Sequence, residues 1–101
     1  FPVPAPALDA YVVAFGGDGS DVRDLCVELR RGGLRVERSF DGRSGRAQMK
    51  AANRSGAPVA LILGDDERAS GTVTLRDLRH DTPQRSMDRS TLLFELTRLQ
   101  P

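Results

Sequence analysis

The sequence predicts an α/β fold built on a mixed sheet, and three observations support this prediction. Two short apolar runs, at residues 11–15 and 59–63, are typical of strands that are buried on both faces. Segments with helical periodicity separate these runs from an alternating strand at 34–38, an order that favours right-handed crossovers and parallel pairing. A strand at 72–78 follows after only a loop, so we expect it to pair antiparallel.

The first helix is expected to end at Arg31, with Ser20 or Asp21 as its N-cap. Its apolar residues follow the spacing i, i+3, i+4 and i+7 and form one stripe: Val22, Leu25, Cys26 and Leu29. Gly32 and Gly33 follow, and a glycine pair suits the left-handed turn that ends many helices. The strand at 34–38 alternates, so we expect a half-exposed edge strand there.

The rest of the chain supplies two more helices and a short strand. One helix is expected over 45–55, and a short fifth strand is expected at 84–86. Asp88 is the predicted N-cap of the last helix, with Met87 and Leu92 in the positions of a hydrophobic staple. The buried stripe of this helix is predicted to contain four leucines: Leu92, Leu93, Leu96 and Leu99.

Length and composition limit the classes of protein to consider. The 101 residues are 39% hydrophobic and 29% charged, which suits one globular domain with a modest core. No apolar run approaches the roughly 18 residues that cross a bilayer, and no signal peptide is apparent, so we expect a cytoplasmic protein without a membrane partner. Prolines alternate with small apolar residues over 1–9, so we expect a linker from a preceding domain there, and a globular domain over 10–101.

A glycine cluster follows the first strand and could be taken for a nucleotide site. Gly17 and Gly19 lie between strand and helix, where main-chain N–H groups can hold a phosphate. However, Val22 replaces the third glycine of the dinucleotide fingerprint, and no Walker lysine follows. A tight turn is therefore favoured over a free nucleotide-binding module.

No set of residues resembles a complete active site. His80 is the only histidine and has no serine or cysteine pattern typical of a catalytic triad. Cys26 lies on an apolar stripe and is expected in the core. Three neighbouring acids in one loop, Asp65, Asp66 and Glu67, rarely hold a metal ion without further ligands. We therefore predict no catalytic residue, no metal site and no cofactor in this segment.

A row of basic residues lies in the second predicted helix. The net charge is only +1, but residues 42–64 contain no acid. Arg46, Lys50 and Arg54 are four apart, so a helix places them on one face, and Arg43 comes just before it. Such a row can follow a phosphate backbone. The alternative is an ordinary solvated helix face.

Glu67 and Arg76 form a sharper combination. A carboxylate only accepts hydrogen bonds, so it can select a base edge that presents N–H groups, such as that of guanine. An arginine can hydrogen-bond to an unpaired base or stack against it. The alternative is a surface ion pair between the two side chains, which would contribute roughly 0–1 kcal/mol.

These segments resemble the C-terminal anticodon-binding domain of class IIa aminoacyl-tRNA synthetases. The family pattern is an apolar strand, Gly-x-x-Glu and then Gly-x-Val-x-Val/Leu-Arg/Lys, and it is matched by VALILGDDE at 59–67 and GTVTLRDL at 71–78. Lys50 and Ala52 fit a Lys-x-Ala pattern in the second helix. Gln84 and the leucine-rich last helix make the chain most similar to histidyl-tRNA synthetases. The resemblance covers roughly residues 10 to 100.

Some positions depart from the family pattern. Arg68 stands where an aliphatic residue is usual, and Asn53 and Arg54 stand where the histidyl enzymes often have Asp-Lys. Asp66 stands where threonyl enzymes have a lysine, so we assign no base contact to it.

The resemblance implies a three-layer α/β/α fold with a five-stranded mixed sheet and about three helices. It also implies that Glu67 and Arg76 contact anticodon bases and that Lys50 faces the anticodon loop. From the charge row we add Arg43 and Arg46 as weaker contacts to the tRNA backbone.

By the same resemblance, the parent protein is expected to be a homodimeric histidine–tRNA ligase. Its own catalytic domain, and not this segment, would use ATP and Mg²⁺, and the tRNA partner would be histidine tRNA. Two alternatives stay open. One is a tRNA-sensing or dimerisation module of a regulatory synthetase-like protein, and the other is the same domain of a threonyl, prolyl or glycyl enzyme.

Overall fold

The computed structural model describes residues 8–17, 19–39, 44–80 and 83–98. Within them a mixed sheet has the strand order β2-β1-β3-β4-β5. The strands are β1 (Ala10–Ala14), β2 (Val36–Arg38), β3 (Val59–Leu63), β4 (Thr72–Asp77) and β5 (Arg85–Asp88). The helices are α1 (Ser20–Arg31), α2 (Gly45–Ser55), α3 (Asp65–Ser70) and α4 (Arg89–Arg98). β1 pairs parallel with β2 and β3, and β4 pairs antiparallel with β3, as predicted. β4 also pairs antiparallel with β5.

The sheet separates two apolar clusters, which confirms the three-layer prediction. The larger cluster joins one face of the sheet to α1 and α4, and its helical members include Leu25, Leu29, Leu92 and Leu96. The smaller cluster joins the opposite face to α2, through Ala52 and the partly buried Met49. The apolar stripe predicted for α1 is buried along its whole length.

A close approach between helices holds α4 beside α1. A Cβ built on Gly32 would lie 2.4 Å from Leu93 Cδ1, so a larger residue at the end of α1 would displace the Leu93 side chain. Arg89 Nε lies 3.7 Å from Glu28 Oε2 and adds an ion pair between the same helices. Leu93 is partly buried as predicted, whereas the predicted core position Leu99 lies outside the described residues.

The region of three acids is helical, which corrects the predicted loop. α3 adds a fourth helix to the three predicted, because Glu67 Oε1 accepts a hydrogen bond from the Gly64 N–H at 3.1 Å and caps the first turn. All three acids lie in this first turn, where the helix dipole favours negative charge. Gly71 then ends the helix in the left-handed conformation, with φ of 71°.

Two smaller expectations were wrong, and a third holds with different bounds. The N-cap of α1 is Gly19, not Ser20 or Asp21. Phe15 follows β1 instead of belonging to it, and 44% of its surface is exposed. The predicted fifth strand is present, but it begins at Arg85 and continues to Asp88. Asp88 is therefore the last residue of β5 and immediately precedes α4.

The first seven residues of the predicted linker lie outside the described residues. The two that follow contact the domain: Leu8 packs on the smaller apolar cluster, and the Asp9 N–H donates to the Arg35 carbonyl at 2.7 Å. The Arg35 N–H in turn donates to Asp9 Oδ2 at 2.8 Å. In the described part of the chain, no helix has the length and apolar character that a membrane span requires.

Candidate nucleic-acid interface

One half of the α2 face of the sheet is polar and open to solvent. On β4, Arg76 lies opposite Ala60 and Thr74 opposite Ile62, so both project on the side of α2. On β5, Ser86 lies opposite Thr74 on the same side. Arg76 and Ser86 are exposed, which gives this half of the sheet an accessible row of hydrogen-bonding groups. The predicted polar side of β4 is thus confirmed.

A polar groove of about 530 Å³ lies at the end of this open surface, between α2 and the turn that follows β4. Its lining residues come from α2, from β4 and from the turn: Asn53, Arg76, Asp77, Leu78, Arg79, His80, Pro83 and Gln84. The groove therefore brings Arg76 together with an imidazole, a second guanidinium and two amides, all of which can form hydrogen bonds.

Asp77 organises the turn on one side of the groove. Its Oδ1 accepts hydrogen bonds from the N–H groups of Arg79 at 2.8 Å and His80 at 2.9 Å. Its Oδ2 lies 3.1 Å from His80 Nδ1. These contacts, with the two main-chain donors acting most strongly, hold the pKa of Asp77 below its ordinary value. His80 itself is largely exposed, with 72% of its side chain accessible, and it acts as a turn residue as expected.

The predicted basic row runs along the exposed side of α2 towards the groove. Arg46 and Lys50 precede Asn53 by seven and three residues, a spacing that places them on the same side of a helix. Both are exposed. Because Asn53 lines the groove, the row leads to the place where Arg76 lies. Arg43, the remaining predicted backbone contact, lies outside the described residues.

Gln48 fixes α2 to the sheet, and the sequence analysis did not identify it. Its Oε1 accepts from the Ala14 N–H at 2.7 Å, and its Nε2 donates to the Ala14 carbonyl at 2.9 Å. A Cβ on Gly45 would lie 2.0 Å from the ring of Phe15, so the start of α2 also sits directly against the end of β1. A glutamine among apolar neighbours in the helical pattern was the only available signal.

Glu67 lies at the opposite end of β4 from Arg76. α3 follows the end of β3, near Thr72, and Arg76 lies four residues further along β4, roughly 13 Å at the usual rise of a strand. Among the described residues no ion pair joins Glu67 to Arg76, so the alternative of a simple surface pair is not realised. Glu67 has a structural role as the cap of α3, and one carboxylate oxygen makes that contact.

Arg68, where the family usually has an aliphatic residue, occupies the space beside the glycine turn. Its Nη1 donates to the Phe15 carbonyl at 2.7 Å and its Nη2 to the Gly16 carbonyl at 3.0 Å. Its Nε also donates to Asp21 Oδ2. The guanidinium thus pairs with carbonyls of the turn and not with the main-chain N–H groups that would hold a phosphate, so this contact does not test the interpretation of the glycine cluster as a nucleotide site.

Two further observations concern the predicted absence of catalytic and metal chemistry. Burial raises the pKa of the Cys26 thiol, because the charged thiolate would lose its solvation in the core. Within the described ranges, no group of three or more histidines, cysteines or acids is arranged to hold a metal ion.

The sequence is similar to one family along almost its whole length. The model of the anticodon-binding domain family matches residues 9–99. A histidine–tRNA ligase of Halorhodospira halophila is 52% identical over 83 residues, which are 80% of this chain and 19% of that protein. A histidine–tRNA ligase of Geobacillus thermodenitrificans is 47% identical over 73 residues, or 70% of this chain and 17% of that protein. The chain thus spans about a fifth of the length of these curated relatives.

Solved structures show the same fold. Histidyl-tRNA synthetase from Nostoc sp. PCC 7120 superimposes with a TM-score of 0.79 at 27% identity, over 95% of this chain and 23% of that one. The RNA-binding domain of threonyl-tRNA synthetase from Cryptosporidium parvum gives a TM-score of 0.81 at 18% identity, over 91% of this chain and 23% of that one. The second likeness shows the fold alone, whereas the identities above favour the histidine enzymes over the alternatives.

Proposed function

The chain belongs to the family of anticodon-binding domains, and from this premise we propose that it binds the anticodon loop of histidine tRNA. In this proposal it is the C-terminal domain of a histidine–tRNA ligase and supports the ATP-dependent attachment of histidine without catalysing it. ATP and Mg²⁺ belong to the catalytic domain of that enzyme, a cytoplasmic homodimer. The observation that carries the proposal is the groove beside Arg76, which opens onto the polar half of the sheet and is lined on the α2 side by Asn53, on the same side of the helix as Arg46 and Lys50.

The groove suits an unstacked base better than a folded helix. Its volume of about 530 Å³ is in the range of small-molecule pockets, roughly 300–1,000 Å³, so we expect it to accept a single base. Arg76 can stack on such a base or donate to its edge. Lys50 reaches the loop from the rim, and Arg46, together with Arg43, neutralises backbone phosphates.

Glu67 would read a second base at the other end of β4. One carboxylate oxygen caps α3, which leaves the other to accept a hydrogen bond from a base N–H. Because the two oxygens have different roles, a substitution can separate the capping of α3 from the recognition of a base. Glu67→Gln keeps an oxygen for the Gly64 N–H but replaces the second acceptor with a donor.

Binding of fluorescently labelled anticodon stem-loops, measured by anisotropy, tests the proposal. The wild-type chain is expected to bind the loop with the histidine anticodon more tightly than a loop of equal charge with an unrelated anticodon. Glu67→Gln is expected to reduce this preference by roughly tenfold, which corresponds to about 1.4 kcal/mol. Asp66→Asn is the matched control, since it removes one charge from the same helical turn and should leave the preference unchanged.

Arg46→Ala tests the role of the basic row in the same assay. It is expected to weaken both loops equally and to lower the slope of log affinity against log salt by roughly 0.7. Equal affinity of the wild-type chain for the two loops would contradict the proposed function. Loss of preference in Arg46→Ala, with none in Glu67→Gln, would reverse the assigned roles.

A further inference from the structure

We propose that Arg68 is a positioning residue that sets the specificity of anticodon reading, because it fixes the short helix that presents Glu67. This inference rests on the proposed function. Arg68 itself makes no contact with RNA in the proposal: 23% of its side chain is exposed, and its guanidinium points into the protein.

The guanidinium joins α3 to the start of α1 and to the turn before it. It donates to the carbonyls of Phe15 and Gly16 and to the carboxylate of Asp21. Asp65 Oδ1 lies 3.6 Å from Nη1 and adds a weaker pair within α3. Phe15 and Gly16 are more than 50 positions away in sequence, so Arg68 is a long-range connection and not a local helix contact.

The glycine turn is shaped to admit this side chain. A Cβ on Gly17 would lie 2.6 Å from Arg68 Nη2 and 2.8 Å from Cζ, which is closer than real Cβ atoms approach other atoms. Gly17 also has a φ of 76°, a conformation that favours glycine. A side chain at position 17 would therefore displace the guanidinium.

α3 needs such a connection because it lacks an apolar anchor. It has six residues, and none of them is fully buried. Isolated helices shorter than about 12 residues are marginal in water, and packing of an apolar face normally stabilises those in proteins. Here polar contacts replace that packing, and Arg68 supplies the ones that reach another part of the fold. Since Glu67 is the adjacent residue, its direction depends on how α3 is held.

The comparison of Arg68→Ala with Val36→Ala, both in the complete chain, tests the inference. Val36 is buried in β2, at the edge of the sheet remote from α3, so its truncation lowers stability without touching Glu67. The readout is the ratio of affinities for the histidine anticodon loop and the unrelated loop, at a temperature where both variants are folded. A ratio cancels the general effect of removing one positive charge.

Arg68→Ala is expected to reduce this ratio by roughly three- to tenfold and to leave the affinity for the unrelated loop within about twofold. Arg68→Lys is expected to recover part of the ratio, because an ammonium keeps the charge but cannot span three acceptors as a guanidinium does. Hydrogen exchange at the Gly64 amide, which Glu67 caps, should accelerate in Arg68→Ala and not in Val36→Ala.

If Arg68→Ala keeps the wild-type ratio, or if Val36→Ala loses as much of it, the inference is overturned and the proposed function stands. If the wild-type chain does not distinguish the two loops, the proposed function fails and the inference fails with it. The two failures are thus distinguished by the wild-type measurement alone.

Discussion

The central strands β1 and β3 and the outer pair β4 and β5 of the same sheet differ in how many of their faces are exposed to solvent. β1 and β3 are covered on both faces: Val12 and Leu61 face α1 and α4, and Val13 and Ala60 face α2, all with no exposed surface. β4 and β5 bury only one face, and their other face presents Arg76 and Ser86 to solvent. The central strands therefore carry the core, whereas the proposed recognition uses the open half, where polar residues can vary without loss of the core.

Truncation in the two regions should separate these roles most clearly. Leu61→Ala, on β3, is expected to lower the free energy of unfolding by about 2–5 kcal/mol, because it leaves a cavity among fully buried side chains. Thr74→Ala, on the open side of β4, should cost less than about 1 kcal/mol. Urea denaturation followed by circular dichroism measures both. Similar costs would mean that the open half is part of the core after all.

The hydrogen bonds between Gln48 of α2 and Ala14 of β1 provide the second test of the comparison between the covered and the open half of the sheet. Gln48→Leu removes both hydrogen bonds to Ala14 and is expected to cost about 1–3 kcal/mol, since it leaves main-chain groups without their partner. Gln48→Glu retains an acceptor for the Ala14 N–H but buries a charge and places a carboxylate oxygen against the Ala14 carbonyl, so its cost at neutral pH should be at least as large. Faster exchange of the Ala14 amide in Gln48→Leu is the confirming measurement. Unchanged exchange would contradict the assigned contact.

Asp77 gives the smallest expected effect and belongs to the open half. Its pKa is lowered in the folded chain, so its contribution to stability is complete above the ordinary aspartate value of about 3.9 and is lost as the pH falls through the lower folded value. Asp77→Asn should therefore make the free energy of unfolding less dependent on pH below about 4. Urea titrations at neutral and acid pH measure this change. A steeper acid loss in the variant would contradict the sign.

Periodicity in the sequence predicted the parts that bury apolar faces. The stripe from Val22 to Leu29, the run at Val59–Leu63 and the alternation that exposes Arg76 each repeat with the period of their element. α3 has no such stripe, and its cap at Glu67 looks like one more acid in a loop. A single-sequence pattern therefore could not distinguish a six-residue polar helix from a turn.

Long-range polar contacts were the other feature beyond the reach of pattern analysis. Gln48 and Arg68 meet main-chain groups 34 and 53 positions away, and no local spacing encodes such partners. The resemblance to a known family predicted anticodon contacts for Glu67, Arg76 and Lys50, but it could not indicate that Glu67 also caps a helix. Arg68 was visible only as a departure from the family pattern.

The amide of Gln48 acts on β1 as the peptide group of a neighbouring strand would, since it offers one donor and one acceptor to the same residue. This contact sets the register of α2 on the end of β1. It therefore also sets the distance between the cations of α2 and the groove at Arg76. In the proposed complex, an RNA would have to match that distance, from a backbone phosphate beside α2 to a displaced base beside Arg76.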